Sequence, residues 1–546
     1  MSLADGGDSF PFVWEHEADP ERSWEWDDMH MPVALTPLAE DYVRVLGEGF
    51  NLVYELNEFP QRIYCRVWNG YAYFANDPHL PEPERAANEA RWHTAQREAA
   101  KVTERFWTDE VLPEIREIET RLRAIPTDAL EPADLAAAWD NAWADVGRMW
   151  KLHFLLIRGP YAVTEDLVDL YETLVPGAPP GEALRLIQGT EHELLETELG
   201  MERLAAIASA NPAIAAALTA PLGLLNGAAT SVSAADLESL EGGTEFVAEF
   251  NLFLDRHGHL GQPYDDLHLP SWAEEPSIVL AQLGSRLAIP PEPASQRRAR
   301  LAADAAGLAD RVRARLSERP EDLARFEELL VLARTIGPLT EVHNYWIDRM
   351  AQARIRAHAV RVAGRLVANG SLADPGHVFF LRRREVRDLI LQPRDATGLI
   401  RDRQAEHDRR LRMQPPRRLG TDRPDAKPDR FDGARIASDD VNVLLGTGAS
   451  AGVARGPARV AMGPADFGRI RPGDIIVCPS SNPSWVPLFT IAAGLITNTG
   501  GVLSHAAVVA REFALPAVVG TGDATTRIRD GRLVEIDGST GSVRLL

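Results

Sequence analysis

The stretch Ile496-Thr-Asn-Thr-Gly-Gly-Val-Leu-Ser-His505-Ala-Ala-Val-Val-Ala-Arg-Glu512 decides the fold of the C-terminal part of the chain. Two glycines precede a Ser-His pair, and the pair opens a run of residues that is predicted to be helical. His505 is therefore expected at or near a helix N-terminus, where unpaired backbone N–H groups and the helix dipole favour an anion. Gly500 and Gly501 allow the backbone to approach a ligand closely and to adopt positive φ.

A phosphoryl group on the imidazole of His505 would be such an anion. An unperturbed imidazole is mostly neutral near pH 7, so one ring nitrogen can act as a nucleophile. The pattern predicts a covalent phosphohistidine carrier, with Gly500, Gly501 and Ser504 around the phosphoryl group. Arg511 is a further candidate for charge stabilisation, although its six-residue spacing from His505 favours another helix face. The alternative is that Ser504 caps a surface helix and His505 is an ordinary first-turn residue.

The same residues carry a resemblance to a known family. The segment 500–512, followed by Leu515-Pro-Ala-Val-Val-Gly-Thr-Gly522, closely resembles the mobile phosphohistidine domain of dikinase-like, PEP-utilising enzymes. That family includes rifampicin phosphotransferase, phosphoenolpyruvate synthase-like proteins and phenylphosphate synthase. The resemblance implies a small swivelling α/β domain in which His505 accepts and hands on a phosphoryl group.

Composition limits the other possibilities. The 546 residues are enough for two to four domains, and 45% hydrophobic and 25% charged residues are ordinary for a globular protein. A net charge of −22 argues against a nucleic-acid partner. The two cysteines, Cys65 and Cys478, suggest neither a disulfide framework nor a zinc site. No apolar run has membrane-spanning length and the N-terminus does not resemble a signal peptide, so a cytoplasmic location without membrane partners is expected.

The chain is predicted to be multidomain, with a large mainly α-helical domain followed by a small α/β domain. Apolar residues recur at helical spacing over most of the chain, and Gly and Pro separate the segments. The predicted parts are an irregular N-terminal arm at 1–35, a helical acceptor-binding domain at 36–391, an Arg/Pro-rich linker at 392–445 and the phosphohistidine domain at 446–546. A tethered carrier that moves between two sites needs a linker of this kind.

Two segments within the helical part resemble the acceptor-binding region of rifampicin phosphotransferase-like proteins. They are Phe253-Leu-Asp-Arg-His-Gly-His-Leu-Gly-Gln262 and Thr340-Glu-Val-His-Asn-Tyr-Trp-Ile-Asp-Arg349. A hydroxyl acceptor must lose a proton, so a base is expected close to it. The candidates in these segments are His259, His343, Asp255 and Glu341, with His257 and Asp348 as further options. A packed or surface role is the alternative for each of them.

No nucleotide site is evident in the sequence. There are only three lysines, Lys101, Lys151 and Lys427, no Walker motif, and no stretch before Gly446 that resembles an ATP-grasp domain. The chain also ends at Leu546, just past the carrier domain, so no C-terminal barrel is expected. The resemblance therefore implies that a separate ATP-grasp subunit binds ATP and Mg²⁺ and loads His505. No cofactor is expected to bind this chain tightly, and no set of metal ligands is predicted.

The predicted function is that of a phosphotransferase subunit. His505 would carry a phosphoryl group from the ATP-grasp partner to a small-molecule acceptor, expected to be a hydroxyl compound, in the helical domain. Two alternatives remain at this stage. One is a lyase or dehydratase that acts through transient phosphorylation of its substrate, and the other is a scaffold module that no longer carries phosphate.

Overall fold

The fold is described from a computed structural model. It covers residues 10–77, 80–178, 181–191, 193–219, 223–225, 228–230, 232–261, 265–288, 290, 292–421, 438, 440–481 and 485–546. The chain divides into two units. Unit 1 contains Met1–Ala162, Tyr264–Leu269 and Trp346–Ala426, and unit 2 contains Val163–Pro263, Pro270–Tyr345 and Lys427–Leu546.

Helices dominate the part of the chain before residue 411. The α-helices are α1 (Pro37–Leu56), α2 (Glu84–Ala100), α3 (Thr103–Phe106), α4 (Leu112–Ala124), α5 (Pro132–Leu174), α6 (Glu193–Ala210), α7 (Pro212–Thr219), α8 (Ala234–Glu238), α9 (Gly243–His257), α10 (Ser277–Ala288), α11 (Ala294–Arg315), α12 (Pro320–Ile336), α13 (Leu339–His343), α14 (Arg349–Ala368), α15 (Arg383–Leu391), α16 (Thr397–Arg410), α17 (Val486–Phe489), α18 (His505–Glu512) and α19 (Ala524–Arg527). Two π-helical segments, Trp107–Val111 and Asn344–Asp348, adjoin α-helices. Among the described helices, none combines the length and the apolar character that a membrane crossing requires.

The strands fall into three sheets. They are β1 (Ser23–Trp26), β2 (Arg62–Trp68), β3 (Tyr71–Asp77), β4 (Gly223–Leu225), β5 (Ala228–Thr230), β6 (Arg418–Gly420), β7 (Val443–Leu445), β8 (Thr447–Ser450), β9 (Val453–Val460), β10 (Ile475–Cys478), β11 (Gly494–Thr497), β12 (Ala517–Val519), β13 (Leu533–Asp537) and β14 (Ser542–Leu545). The sheet orders are β2-β3-β1-β6, β7-β14-β13-β9-β10-β11-β12-β8 and the pair β4-β5.

Unit 1 contains the first of these sheets, and all its neighbouring strands are antiparallel. β2 and β3 form a hairpin, β1 pairs with the other edge of β3, and β6 pairs with β1. One face carries an aromatic cluster of buried side chains: Phe10, Trp24, Trp68, Tyr71 and Tyr73. The Trp24 indole N–H donates to the Asp19 carbonyl over 2.8 Å, so its polar atom is satisfied inside the cluster.

The N-terminal arm and the linker differ from what the sequence predicted for them. The predicted irregular arm contributes β1 to the sheet, because Trp24 is fully buried in the aromatic cluster. The segment 392–445 that was predicted as a linker contains α16, β6 and β7. α16 is rich in Arg and Asp, and only Ile400 is buried, so its sequence lacks the apolar periodicity that signals a helix. Residues 422–437 and 439 of the predicted linker lie outside the described residues.

The α/β domain of unit 2 is built on the eight-stranded sheet. β9, β10, β11 and β12 are parallel, whereas β8, β13, β14 and β7 pair antiparallel to their neighbours. Alternate residues of β10 face opposite sides of the sheet: Ile476 and Cys478 join the core beside α18, and Ile475 and Val477 join the core beside α19. The predicted fold class, a large helical part followed by a small α/β domain, is confirmed.

Gly538, the residue that follows β13, is packed tightly against the backbone of two other segments. A Cβ on Gly538 would lie 1.9 Å from the Ser450 carbonyl oxygen and 2.8 Å from the Ala517 amide nitrogen, and neither backbone atom can rotate away. We expect Gly538→Ala to lower the free energy of unfolding by about 1–3 kcal/mol or more, as overpacking of a core does. Urea unfolding followed by circular dichroism measures the change.

The matched control is Gly364→Ala. A Cβ at Gly364, inside α14, meets no atom within 4 Å. This variant should be stabilised by roughly 0.5–1 kcal/mol, because alanine restricts the unfolded chain and favours the helix. Equal stability of the Gly538→Ala variant and the wild type would contradict the packing described at the end of β13.

Candidate active site

The loop that leads to His505 begins at the carboxyl end of β11, the edge at which parallel α/β sheets bind ligands. Several hydrogen bonds fix it. The Asn498 and Thr499 amides donate to the Cys478 and Pro479 carbonyls, each over 3.1 Å. The Asn498 side chain also accepts from the Thr525 amide over 3.0 Å and donates to the Thr525 hydroxyl over 2.7 Å. The loop therefore rests on two neighbouring segments of the domain before it reaches the glycine pair.

Gly500 and Ser504 shape the turn into α18. Gly500 has φ of 103°, and a Cβ there would lie 2.7 Å from the Ser504 hydroxyl oxygen, so both conformation and space require glycine. The buried Ser504 hydroxyl donates to the Gly501 carbonyl over 2.8 Å and makes no capping bond to the helix. Ser504 therefore holds the turn closed through its side chain, and within the part of the chain that the structure describes no side-chain hydrogen bond caps α18.

A hydrogen bond to Glu341 fixes the orientation of the His505 imidazole. His505 is the first residue of α18, and its Nδ1 makes a short hydrogen bond to the Glu341 Oε2. Only 11% of the His505 side chain and 6% of the Glu341 side chain are exposed. The buried Nε2 has no hydrogen-bond partner among the described residues. A carboxylate accepts the bond, so Nδ1 carries the proton and Nε2 keeps its lone pair.

Arg511 lies on the buried side of α18. Its guanidinium donates to the Ala449 carbonyl over 3.1 Å. Burial lowers the pKa of Arg511 to about 10, although the charges of Glu512 and Glu341 oppose the shift. In this arrangement Arg511 ties the helix to β8 and contributes positive charge behind Glu341.

A pocket runs along α18 from Glu341 toward the end of the helix. It encloses about 460 Å³, open solvent included. Its walls are partly apolar and partly charged, and the lining residues include Glu198, Arg297, Glu341, Glu512 and Phe513. Since α6, α11 and α13 supply one wall and α18 the other, the pocket marks where the α/β domain contacts the helical segment of the same unit.

A buried charge cluster adjoins this pocket, and two of its residues, Glu198 and Arg297, line the pocket. The Glu198 carboxylate makes a short salt bridge to Arg297 and a second one, of 3.5 Å, to Arg286. All three side chains are at most 8% exposed. The Arg297 guanidinium also lies 4.1 Å from the centre of the Phe513 ring, a cation–π contact to the residue that follows α18. Glu198 is thus the buried carboxylate that pairs with both arginines, while the more exposed Glu202 lies 4.0 Å from Arg286.

Glu512 is the last residue of α18, and the pKa of its carboxyl group is higher than usual. Burial raises the pKa of Glu512 to about 7, while a hydrogen bond from the Gly189 amide and the charges of Arg511 and Arg297 oppose the shift. The negative charge of Glu341 adds to the increase. The Glu512 carboxyl group is therefore expected to lose its proton close to neutral pH.

This shift predicts a pH dependence that Glu512→Gln should remove. A carboxyl whose pKa is higher in the folded state favours folding while it is protonated, so its unfavourable contribution grows between its ordinary pKa and about 7. We expect the free energy of unfolding of Glu512→Gln to equal that of the wild type near pH 4.5. Above pH 7 it should be higher than that of the wild type by on the order of 1–3 kcal/mol. Urea unfolding at several pH values measures the difference, and a difference independent of pH would contradict it.

The other candidates from the sequence occupy different places in unit 2. His259 is buried, and its Nε2 lies 3.0 Å from the Tyr345 carbonyl oxygen. His343 is buried as well, and its Nδ1 lies 2.7 Å from the Leu339 carbonyl oxygen of its own helix. Asp255 is exposed on α9. Of the four, Glu341 makes a hydrogen bond to His505 in the part of the chain that the structure describes.

The two further options are also paired with neighbours. His257 Nδ1 lies 2.9 Å from the Tyr345 hydroxyl, and burial lowers the pKa of His257 to about 3, so this imidazole is neutral. In unit 1, Asp348 Oδ1 lies 2.6 Å from the Nδ1 of His153, and both residues are buried. Reasoning from sequence did not select His153, because it lies inside the apolar face of the 43-residue helix α5.

Comparison with known proteins supports the assignment of the domains. Residues 470–541 match the family described as PEP-utilising enzyme, mobile domain. Residues 162–341 match the rifampicin phosphotransferase fourth domain, and this match ends at Glu341, the residue that contacts His505. The predicted resemblance to dikinase-like, PEP-utilising enzymes is confirmed.

Individual relatives agree with these matches. The chain is 33% identical over 566 residues to chondramide synthase cmdD of Chondromyces crocatus, covering 98% of this chain and 14% of that protein. It is 32% identical over 318 residues to the rifampicin phosphotransferase of Streptomyces sviceus, covering 57% of this chain and 36% of that one. It is 46% identical over 102 residues to the phosphoenolpyruvate synthase of Aeropyrum pernix, and this match covers 18% of this chain and 12% of that protein. The chain thus spans about a third or less of the length of these three relatives.

Proposed function

As a member of the dikinase-like family of PEP-utilising enzymes, the chain is, we propose, the component of a phosphotransferase that carries the phosphoryl group on His505 and presents it to an acceptor. The supporting observation is the state of the His505 ring. Its Nδ1 is held by Glu341, and its Nε2 has no partner among the described residues. Such an imidazole is oriented as a nucleophile through one defined nitrogen.

The reaction would proceed in two displacements. In the first, Nε2 attacks the phosphorus of the donor and the bond to the leaving oxygen breaks. In the second, an acceptor oxygen attacks the phosphohistidine, and the electron pair of the N–P bond returns to Nε2. Positioning and charge stabilisation supply most of the catalysis in phosphoryl transfer, so the relevant features are the loop that fixes His505 and the start of α18, which no described side chain caps.

The donor is proposed to be ATP, with Mg²⁺, bound by an ATP-grasp domain outside this chain. When Nε2 attacks the β-phosphorus, AMP leaves and His505 carries both the β- and the γ-phosphoryl group. Water then releases the γ-phosphate as inorganic phosphate, and the β-phosphoryl group stays on His505 until the acceptor takes it, which gives AMP, phosphate and a phosphorylated acceptor from ATP, acceptor and water. Two displacements at separate sites require the α/β domain to move, and the pocket at its contact with the helical segment is lined partly by charged residues. The acceptor is proposed to be a hydroxyl compound that binds the helical part.

Isotope transfer tests this proposal. The chain is incubated with an ATP-grasp protein and ATP labelled either in the β- or in the γ-phosphate. We expect acid-labile, base-stable label on the chain from β-labelled ATP only, and its transfer to an acceptor in a chase. Rifampicin, the compound in the name of several relatives, is the first acceptor to use. A chain that takes no label from either ATP would overturn the proposal, and a dehydrated product with free phosphate would instead identify a lyase.

A further inference from the structure

We propose that Glu341 is a positioning residue that selects the reactive nitrogen of His505, and that it does so only while the α/β domain contacts the helical segment of unit 2. This inference rests on the proposed function and extends it to the control of the same site. The two residues are 164 positions apart, and they belong to different structural parts of the unit. Glu341 lies on α13, whereas His505 opens α18.

The contact between Glu341 and His505 favours one tautomer of the imidazole, the one with its proton on Nδ1. Both side chains are nearly buried, so water competes little for the bond between Glu341 and Nδ1. A carboxylate acts only as an acceptor, and it therefore holds the imidazole proton on Nδ1. A histidine that lacks such a partner favours the proton on Nε2. The bond to Glu341 thus reverses the ordinary preference and leaves the lone pair on Nε2.

Charges around the carboxylate support this role. The side chain of Arg511 interacts electrostatically with Glu341 from within α18. The Glu512 carboxyl, at the other end of the helix, is raised in pKa partly by the charge of Glu341. Glu341 thus acts on both ends of α18 while the domain is in contact.

The tautomer has consequences for the discharge of the phosphohistidine, the step in which the α/β domain contacts the helical segment. With phosphorus on Nε2, the ring carries a positive charge, which the Nδ1 proton shares with the Glu341 carboxylate. In this step the N–P bond breaks, its electron pair returns to Nε2, and the ring leaves as neutral imidazole. The acceptor oxygen bonds to phosphorus and its proton passes to water.

The location of Glu341 makes this activation conditional. The residue is not part of the α/β domain, so a domain that moves away from the helical segment loses the carboxylate. The phosphohistidine would then lack the group that stabilises its protonated ring, and transfer of the phosphoryl group would be slow. Return of the domain to the helical segment restores the contact and favours discharge to the acceptor.

Nuclear magnetic resonance of the chain with ¹⁵N-labelled histidine tests the inference. Cross-peaks between ring nitrogens and carbons distinguish the two neutral tautomers. We expect the Nδ1–H form at His505 in the wild type and mainly the Nε2–H form in Glu341→Gln and Glu341→Ala. Potassium phosphoramidate, a chemical phosphoryl donor, should modify Nε2 about ten- to a hundredfold more slowly in these variants, the usual effect of losing an orienting partner. Some product should then carry phosphate on Nδ1.

Glu202→Gln is the matched control. Glu202 lies on α6 and its side chain is 27% exposed, so it tests the loss of a carboxylate without contact to His505. Its tautomer and its modification rate should equal those of the wild type. An unchanged His505 tautomer and rate in both Glu341 variants would overturn the inference. Absence of phosphate on wild-type His505 together with a tautomer that depends on Glu341 would overturn the proposed function and leave the positioning role intact.

Discussion

Replacement of His505 by asparagine is expected to abolish phosphoryl labelling of the chain. Asparagine preserves a polar side chain at the start of α18 but offers no nucleophilic nitrogen. Loss of a covalent nucleophile should reduce label incorporation by at least about a thousandfold. Incubation with β-labelled ATP and an ATP-grasp protein, followed by peptide mapping at alkaline pH, measures the incorporation and locates it.

The control for this experiment is His30→Asn. The His30 side chain is 47% exposed in unit 1 and forms a salt bridge with Asp27, so it tests the loss of an accessible imidazole elsewhere. Its labelling should equal that of the wild type. Undiminished label in His505→Asn would show that another residue carries the phosphoryl group.

The second large effect concerns the buried charge cluster. Glu198→Gln removes the carboxylate that compensates Arg297 and Arg286, and the two buried guanidinium groups then repel each other. Removal of one partner from a buried ion pair costs about 3–5 kcal/mol. Urea unfolding of the wild type and the variant should show a loss of this size in the free energy of unfolding.

Glu202→Gln is the comparison here too. Glu202 lies 4.0 Å from Arg286 and its side chain is 27% exposed, so its contribution is expected to be at most about 1 kcal/mol. A similar loss in both variants would indicate that the position of a carboxylate in the cluster is unimportant. A loss below about 1 kcal/mol in Glu198→Gln would contradict the burial described for the cluster.

The local features of the carrier could be predicted from sequence because they depend on neighbours in the chain. The glycine pair, the Ser-His step and the helix that follows all lie within one segment, and Gly500 does adopt positive φ. The role of Ser504 was not predictable. Its hydroxyl could accept a hydrogen bond from the helix amides or donate one to the Gly501 carbonyl. The conformation of the turn determines that it donates to the carbonyl.

Long-range pairs were beyond the reach of the sequence. The sequence makes Glu341 a candidate base for the acceptor hydroxyl, and that role stays a prediction. Its contact with His505 could not be predicted, because the contact depends on how α13 and α18 pack. The cluster around Glu198 was missed for the same reason. Its arginines come from α10 and α11, and nothing in a single helix distinguishes a charge that is buried from one that is exposed to solvent. The charged helix α16 was likewise predicted as linker, because it lacks an apolar stripe.

The position of the phosphoryl group tests the central claim most directly. ³¹P nuclear magnetic resonance of the phosphoramidate-treated chain, combined with peptide mapping at alkaline pH, identifies both the modified residue and the modified nitrogen. The structure predicts that His505 is modified and that its phosphorus lies on Nε2, because Glu341 occupies Nδ1. A His505 adduct with phosphorus on Nδ1, or no phosphohistidine at His505, would contradict the account.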